Sequence, residues 1–151
     1  MTSMNANTAR RFAYRYGNPV FECDGAEMRA QCRQLATVVT VSGDIHPANL
    51  DRVTQYATRF VLPEKPFVLD LSNVRALPAQ AISLLRAVDE ACHVIGVDWC
   101  LVAGQPVDEV LRTHGEQDTY AVTDTVPEAL NYFLDGILAR RRLLPLLHKT
   151  A

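Results

Sequence analysis

The sequence predicts an α/β domain with a mixed, mostly parallel β-sheet, an antiparallel N-terminal edge strand and about four helices. Two observations lead to this fold class. Short runs rich in β-branched residues alternate with segments of helical periodicity, which is typical of parallel strands joined by right-handed crossovers. The first two strands, in contrast, have only a short link between them, and a short link favours an antiparallel hairpin.

The hairpin lies in the N-terminal third of the chain. Residues 28–33 alternate strictly between apolar and polar side chains, a pattern typical of a half-exposed edge strand. Residues 36–41 are nearly all β-branched and predict an adjacent, more buried strand. The next apolar residues recur at the spacing of one helix face, and Pro63 ends that helix; they are Leu50, Val53, Ala57, Phe60 and Val61.

The rest of the chain continues the alternation. Residues 67–71 form an apolar run that predicts a central strand covered on both faces. After Pro78 a long helix is predicted, with a C-cap at Gly96. Its predicted apolar face consists of Ala81, Leu84, Leu85, Val88, Cys92 and Ile95.

Three shorter elements and a final helix complete the prediction. Residues 99–102 predict a buried strand, residues 106–113 a short helix, and residues 120–122 a last strand. Thr125 followed by Glu128 predicts a capping box at the start of the final helix. The predicted apolar face of that helix consists of Leu130, Phe133, Leu134, Ile137 and Leu138.

Composition excludes several functional classes. The 151 residues carry 15 Lys and Arg against 17 Asp and Glu, a net charge of −2. Because nucleic-acid affinity comes mainly from basic surface, we expect no direct binding to nucleic acid. No apolar run approaches the roughly 18–20 residues that span a bilayer, and the first residues lack the apolar stretch of a signal peptide. We therefore expect a cytoplasmic protein without a membrane span.

The cysteines and histidines give no sign of a metal site. No pair of cysteines has the spacing of a zinc ribbon or a dithiol motif, so we expect reduced and mostly buried thiols. The residues concerned are Cys23, Cys32, Cys92, Cys100, His46, His93, His114 and His148. We expect no cofactor and no catalytic residues, and interpret Asp70 as a hydrogen-bonded structural carboxylate.

Residues 39–138 resemble a STAS domain, the fold of bacterial anti-sigma factor antagonists. The resemblance is carried by residues 41–45 after the second strand, residues 68–74 at the central strand, and residues 78–85 at the start of the long helix. It implies a STAS-like (SpoIIAA-like) domain over residues 21–139. Residues 1–20 then form an N-terminal tail, and residues 140–151 a basic, leucine-rich extension.

The resemblance implies a regulatory role. Typical family members bind an anti-sigma factor, a GHKL-type serine kinase-like protein, and so free a sigma factor for RNA polymerase. The kinase phosphorylates a serine in a D-S-S-G sequence at the start of the long helix, which breaks the complex. A phosphate adds nearly two negative charges to the docking surface.

This sequence departs from that pattern. Residues 78–81 are Pro-Ala-Gln-Ala, so Ala79 and Gln80 occupy the two serine places. His46 stands where typical members carry an acidic residue on the turn after the second strand, although Asp44 matches. We therefore predict an anti-sigma factor antagonist-like protein without the usual serine phosphorylation switch. The expected partner-binding residues are Asp44, His46, Pro78, Ala79, Gln80 and Ser83.

Alternatives remain for several of these residues. Pro78 is equally explained as a starter of the helix, His46 as a solvent-exposed loop histidine, and Ser72 as the donor of a local turn hydrogen bond. Ser72 and Ser83 are nearby hydroxyls for a different modification. A STAS-type small-molecule sensor or scaffold module is the alternative function.

The C-terminal extension carries four leucines around Pro145, beyond the last predicted helix. Leaving them in water is unfavourable, because each would contribute on the order of 1.5–3 kcal/mol if buried. We expect a homodimer through the N- and C-terminal extensions, or packing within the chain.

Overall fold

The computed structural model describes residues 20–150, with side chains described through residue 141. Six strands form a single sheet in chain order. They are β1 (Val20–Cys23), β2 (Ala26–Cys32), β3 (Thr37–Asp44), β4 (Phe67–Ala76), β5 (Trp99–Val102) and β6 (Val122–Thr123). β1, β2 and β3 pair antiparallel, whereas β3 to β6 pair parallel. The predicted mixed sheet with an antiparallel N-terminal edge is confirmed.

Four α-helices pack on the sheet. They are α1 (Leu50–Arg59), α2 (Ile82–Ile95), α3 (Gln105–His114) and α4 (Val126–Thr150), and a short 3-10 turn over Ala79–Ala81 precedes α2. Gly96 ends α2 with a φ of 86°, as predicted for its C-cap. At the start of α4, Glu128 N donates to Thr125 Oγ1 at 3.3 Å, half of the predicted capping box.

The two faces of the sheet build two cores. On one face, α1, α2 and α3 bury Val53, Leu84 and Val110 against Leu69. On the other, Ala129 and Phe133 of α4 cover a smaller cluster, made with Ala36, Val38, Val68, Cys100 and Val102. Neighbouring residues such as Val68 and Leu69 belong to different cores because successive side chains in a strand point to opposite faces.

One prediction was wrong: the strand at residues 28–33 is not the edge of the sheet. β1 pairs with β2 and forms the edge itself, with Cys23 opposite Ala26. The two-residue turn between them, Asp24 and Gly25, has φ values of 48° and 96°. An Asp-Gly pair favours such a turn, but a four-residue strand is too short to show a clear alternation.

Several element boundaries also differ from the prediction. β4 continues to Ala76 rather than ending at Leu71, because its polar end pairs with β3, where Asn73 lies opposite Ser42. The last strand lies at Val122–Thr123, and α4 continues through the predicted extension to Thr150.

Side-chain exposure corrects the predicted apolar faces. Ile95 is 43% exposed, because it ends α2 beyond the part of the helix that packs on the sheet. Leu134 and Leu138 of α4 are also exposed. Three of the cysteines are buried, as expected, whereas Cys32 is exposed.

Candidate partner-binding site

The predicted site lies where β3 and β4 end. These strands are parallel, and Asp44 near the end of one lies opposite Ala76 at the end of the other. Ile45 N donates to Ala76 O at 2.9 Å, which holds the turn after β3 beside the chain that leads into α2. The fold therefore places the turn containing Asp44 beside the chain entering α2, two segments separated by about thirty residues.

The start of α2 exposes small, uncharged side chains. Pro78 is extended, with φ −75° and ψ 160°, and its carbonyl accepts a 2.9 Å hydrogen bond from Ala81 N. It thus precedes the 3-10 turn, so the interpretation of Pro78 as a first helical residue is wrong. Ala79, Gln80 and Ser83 are exposed. We call the surface formed by these residues the docking surface; its members are Asp44, Arg75, Pro78, Ala79, Gln80 and Ser83.

Arg75 was not predicted as part of this surface. Its Nε lies 3.4 Å from Asp44 Oδ1; the Arg75 side chain is largely exposed and that of Asp44 is about half-exposed. An exposed ion pair contributes little to stability, but it offsets the charge of the one carboxylate predicted in the site. Only the pairing of β3 with β4 brings the two residues together.

His46 contacts the turn between β1 and β2. Its Nε2 lies 2.8 Å from Asp24 O, and since a carbonyl only accepts hydrogen bonds, Nε2 is the donor. The side chain is half-buried. His46 is thus a partly exposed loop histidine whose ring connects the turn after β3 with the sheet edge.

Asn49 holds the same turn, and it is not among the residues that the sequence predicts for the site. The residue is fully buried, and its Nδ2 donates to Asp44 O at 3.0 Å and Cys23 O at 3.1 Å. Its Oδ1 accepts from His46 N at 2.9 Å. An asparagine directly before a helix predicts an N-cap, yet its side chain makes no cap hydrogen bond to α1.

Gly43 allows the two turns to approach each other. Its φ is +88°, and a Cβ built at this position would collide with the carbonyl oxygen of Gly25. Only glycine accommodates both the backbone conformation and the contact. The turn between β1 and β2 is therefore a structural support of the docking surface.

A second support comes from α3. Nε2 of His114, at the end of α3, lies 2.9 Å from Ala79 O. Beside this contact runs a groove of about 410 Å³ between the chain entering α2 and α3, lined in part by Leu77, Pro106 and Val110. His114 lies 35 positions after Ala79, so no spacing in the sequence relates the two.

The two nearby serines differ in their surroundings. Ser72 Oγ donates to Asp70 Oδ1 at 2.6 Å and Ser72 N donates to the same oxygen at 3.0 Å. Asp70 is 6% exposed, so the predictions of a structural carboxylate and a local serine hydrogen bond are confirmed. Ser83 lies exposed in the first turn of α2.

Within the described part of the chain, no three His, Cys, Asp or Glu side chains are grouped closely enough to hold a metal ion. The same part contains no helix with the length and apolarity needed to cross a membrane.

Comparison with known proteins gives both a family and a close relative. Residues 27–129 match the family model of the STAS domain, which confirms the resemblance found in the sequence. A protein of Mycobacterium tuberculosis (strain ATCC 25618 / H37Rv) named Osmosensory protein A is 39% identical over 142 residues. The match covers 91% of this chain and 90% of that protein.

Solved structures share the fold. An anti-sigma factor antagonist from Mycobacterium paratuberculosis superposes with a TM-score of 0.63 at 22% identity, covering 74% of this chain and 97% of that one. The anti-sigma factor antagonist SpoIIAA, in its unphosphorylated form, gives a TM-score of 0.57 at 10% identity over 70% of this chain and 94% of its own. At such identities the likeness shows the fold alone, and the predicted fold class is confirmed.

Proposed function

This chain belongs to the STAS domain family, and we propose that it is an anti-sigma factor antagonist-like regulator that binds an anti-sigma factor or a related regulator. In this proposal it controls transcription indirectly in the bacterial cytoplasm, by binding rather than catalysis. Binding proceeds without the usual serine phosphorylation switch. The observation that carries the proposal is the exposed pair Ala79 and Gln80 at the start of α2, in the places of the family's serines.

The chemistry of the docking surface supports a binding role. Ala79, Gln80 and Ser83 carry no charge, and Asp44 is paired with Arg75. A partner desolvates such a surface at lower cost than one carrying an unpaired ion. A phosphate at the same place would add nearly two negative charges and three acceptor oxygens. Ala79 and Gln80 have no hydroxyl that could carry it.

The supports of the docking surface favour tight association. Asn49 and His114 hydrogen-bond to the backbone on either side of it. Because the segments are already held in place, binding requires less ordering of the chain, and a preorganised surface retains more of its interaction energy as affinity.

As the partner we propose a GHKL-type serine kinase-like anti-sigma factor, the class of partner that the family resemblance implies. Such a partner would meet no hydroxyl at positions 79 and 80, and the hydroxyl of Ser72 is already bound to Asp70. We therefore infer a constitutive antagonist, whose complex persists while the kinase has ATP. Ser83 is the exposed hydroxyl that remains within the docking surface.

The location of the site is tested with paired charge substitutions. The full chain is titrated calorimetrically with each purified anti-sigma factor encoded in the source genome. Gln80→Glu places a carboxylate on the docking surface, whereas Gln34→Glu makes the same change on an exposed glutamine between β2 and β3, at the other end of the sheet. We expect the parent and Gln34→Glu to bind one factor equally, and Gln80→Glu to bind it about ten-fold or more weakly.

Two results would overturn this assignment. Absence of binding to every anti-sigma factor would remove the proposed function. Equal affinities for Gln80→Glu and Gln34→Glu would leave the function in place but move the interface away from the start of α2.

We also propose a homodimer through the N- and C-terminal extensions. Its support is the single helix α4, which runs to Thr150 and exposes Leu134 and Leu138; the N-terminal tail lies outside the described residues. Sedimentation velocity compares the full chain with a variant lacking residues 143–151. We expect the deletion to lower the sedimentation coefficient to that of a monomer, and an unchanged coefficient would contradict the dimer.

A further inference from the structure

We propose a second binding site, for a small alkylammonium cation, in a groove between the end of α2 and the start of β5. The groove has a volume of about 260 Å³. Three aromatic side chains and two carboxylates line it, and we call this set the aromatic groove: Trp99, Tyr120, Tyr132, Asp89 and Asp98. It lies at the amino end of β5, whereas the docking surface lies at the carboxyl ends of β3 and β4.

Two of the aromatic rings pack against each other as a tilted pair. The ring centroids of Trp99 and Tyr120 lie 5.4 Å apart with the planes inclined by 53°. Tyr132, projecting from α4 and 51% exposed, lines the same groove. Aromatic faces carry negative potential and attract organic cations, most strongly when several rings surround the charge.

Carboxylates add to this potential. Asp89 Oδ1 accepts a 2.9 Å hydrogen bond from Trp99 Nε1, which fixes the plane of the indole ring. Among the described residues, neither Asp89 nor Asp98 forms an ion pair. Arg86 is bound instead to Glu116, with Nη2 and Oε1 3.2 Å apart.

The pKa values of two groups in the groove, Tyr120 and Cys92, are raised. Burial raises the pKa of Tyr120, the charges of Glu116 and Asp89 raise it further, and the charge of Arg86 partly offsets this rise. Burial raises the pKa of the Cys92 thiol to about 12, with a second contribution from Asp89. In both cases nearby carboxylates disfavour a further negative charge, so the groove disfavours anionic ligands. His93 also lines the groove.

Size and chemistry together select the ligand class. A cavity of about 260 Å³ is slightly smaller than typical ligand sites, which range from roughly 300 to 1,000 Å³, so only a small ligand would fit. A tetraalkylated ammonium group is weakly hydrated and presents methyl groups to aromatic faces, while its charge is balanced by the two carboxylates. A metal ion, in contrast, needs several oxygen ligands converging at short distance, and no such group occurs among the described residues.

Trp99 is the only tryptophan of the chain, so its fluorescence reports on the site directly. The full chain is titrated with tetramethylammonium chloride, and in parallel with sodium chloride at equal ionic strength and with neopentyl alcohol as a neutral compound of similar shape. We expect a saturable change in Trp99 emission with tetramethylammonium alone.

Substitutions in the aromatic groove then test whether tetramethylammonium binds there. Tyr132→Ala should weaken tetramethylammonium binding about two- to five-fold, and Tyr132→Phe, which keeps the ring, should bind like the parent chain. Asp98→Asn should also weaken binding, whereas Asp51→Asn, at an exposed position on α1, is the matched control and should have no effect.

The proposal is overturned by an emission that does not change, changes without saturation, or changes equally with neopentyl alcohol. It is also overturned if Tyr132→Ala and Asp98→Asn both bind tetramethylammonium as tightly as Asp51→Asn. None of these results would affect the proposed function, because the docking surface contains none of the aromatic-groove residues.

Discussion

The two ends of α2 carry surfaces of opposite character. At its start, the docking surface is small, largely uncharged, and built from segments whose backbone is held by Asn49 and His114. At its end, the aromatic groove is built from large rings and from carboxylates such as Asp89, which forms no ion pair with the described residues. About 20 Å of helix separates them, at 1.5 Å per residue over 14 residues.

The two surfaces should respond differently to substitution. The shape of the docking surface depends on hydrogen bonds from side chains that lie outside it, so substitutions at those supports should act through the backbone. The aromatic groove depends on the ring and carboxylate side chains that line it, so substitutions there should act on ligand affinity with little change in stability.

The largest effect is expected at Asn49. Asn49→Ala removes the buried amide that binds the carbonyls of Cys23 and Asp44 and the N–H of His46. Buried groups left without partners cost about 1–3 kcal/mol each, partly relieved by water. We expect the free energy of unfolding, measured by urea denaturation, to fall by about 2–4 kcal/mol.

Asn131→Ala provides the control, because Asn131 is exposed on α4. Its unfolding free energy should lie within about 0.5 kcal/mol of the parent value. A loss at Asn49 no larger than that at Asn131 would mean that the hydrogen bonds of Asn49 do not hold the turn.

The next largest loss of stability is expected at Gly43, where a steric contact adds to backbone strain. Gly43→Ala and Gly96→Ala both place a side chain at positive φ, but a Cβ at Gly96 meets no atom within 4 Å, whereas one at Gly43 meets Gly25 O. Each substitution should cost about 1 kcal/mol for the left-handed backbone. Thermal or urea unfolding should show a further loss of about 1–3 kcal/mol for Gly43→Ala alone; equal losses would exclude a tight contact between the turns.

A smaller effect is expected at His114. His114→Ala removes the hydrogen bond to Ala79 O, which should lower stability by about 0.5–1.5 kcal/mol. Hydrogen exchange of the amides around residues 79–83 should become faster, and His114→Gln, which keeps an N–H donor, should restore part of the protection. Unchanged exchange in His114→Ala would show that α3 does not support the docking surface.

These supports explain which parts of the site the sequence could predict. Strand and helix periodicity gave the order of elements from β2 to α4, and local sequence identified Ala79 and Gln80. Asn49 and His114 act through carbonyls 26 and 35 positions away, and no local pattern encodes such contacts. β1 was missed because four residues show too little alternation, although Asp24 and Gly25 form a recognisable turn pair.

We propose that the docking surface binds its partner and is not phosphorylated in a way that releases it. The direct measurement forms the complex between the full chain and its anti-sigma factor kinase, adds ATP, and follows both the complex and the phosphorylated residues by mass spectrometry. The matched variant, Ala79→Ser with Gln80→Ser, restores both hydroxyls. We expect the parent complex to persist with no phosphate on residues 78–83, while the variant accepts phosphate and dissociates. Phosphate on Ser83 of the parent chain, or loss of its complex on addition of ATP, would contradict unswitched binding.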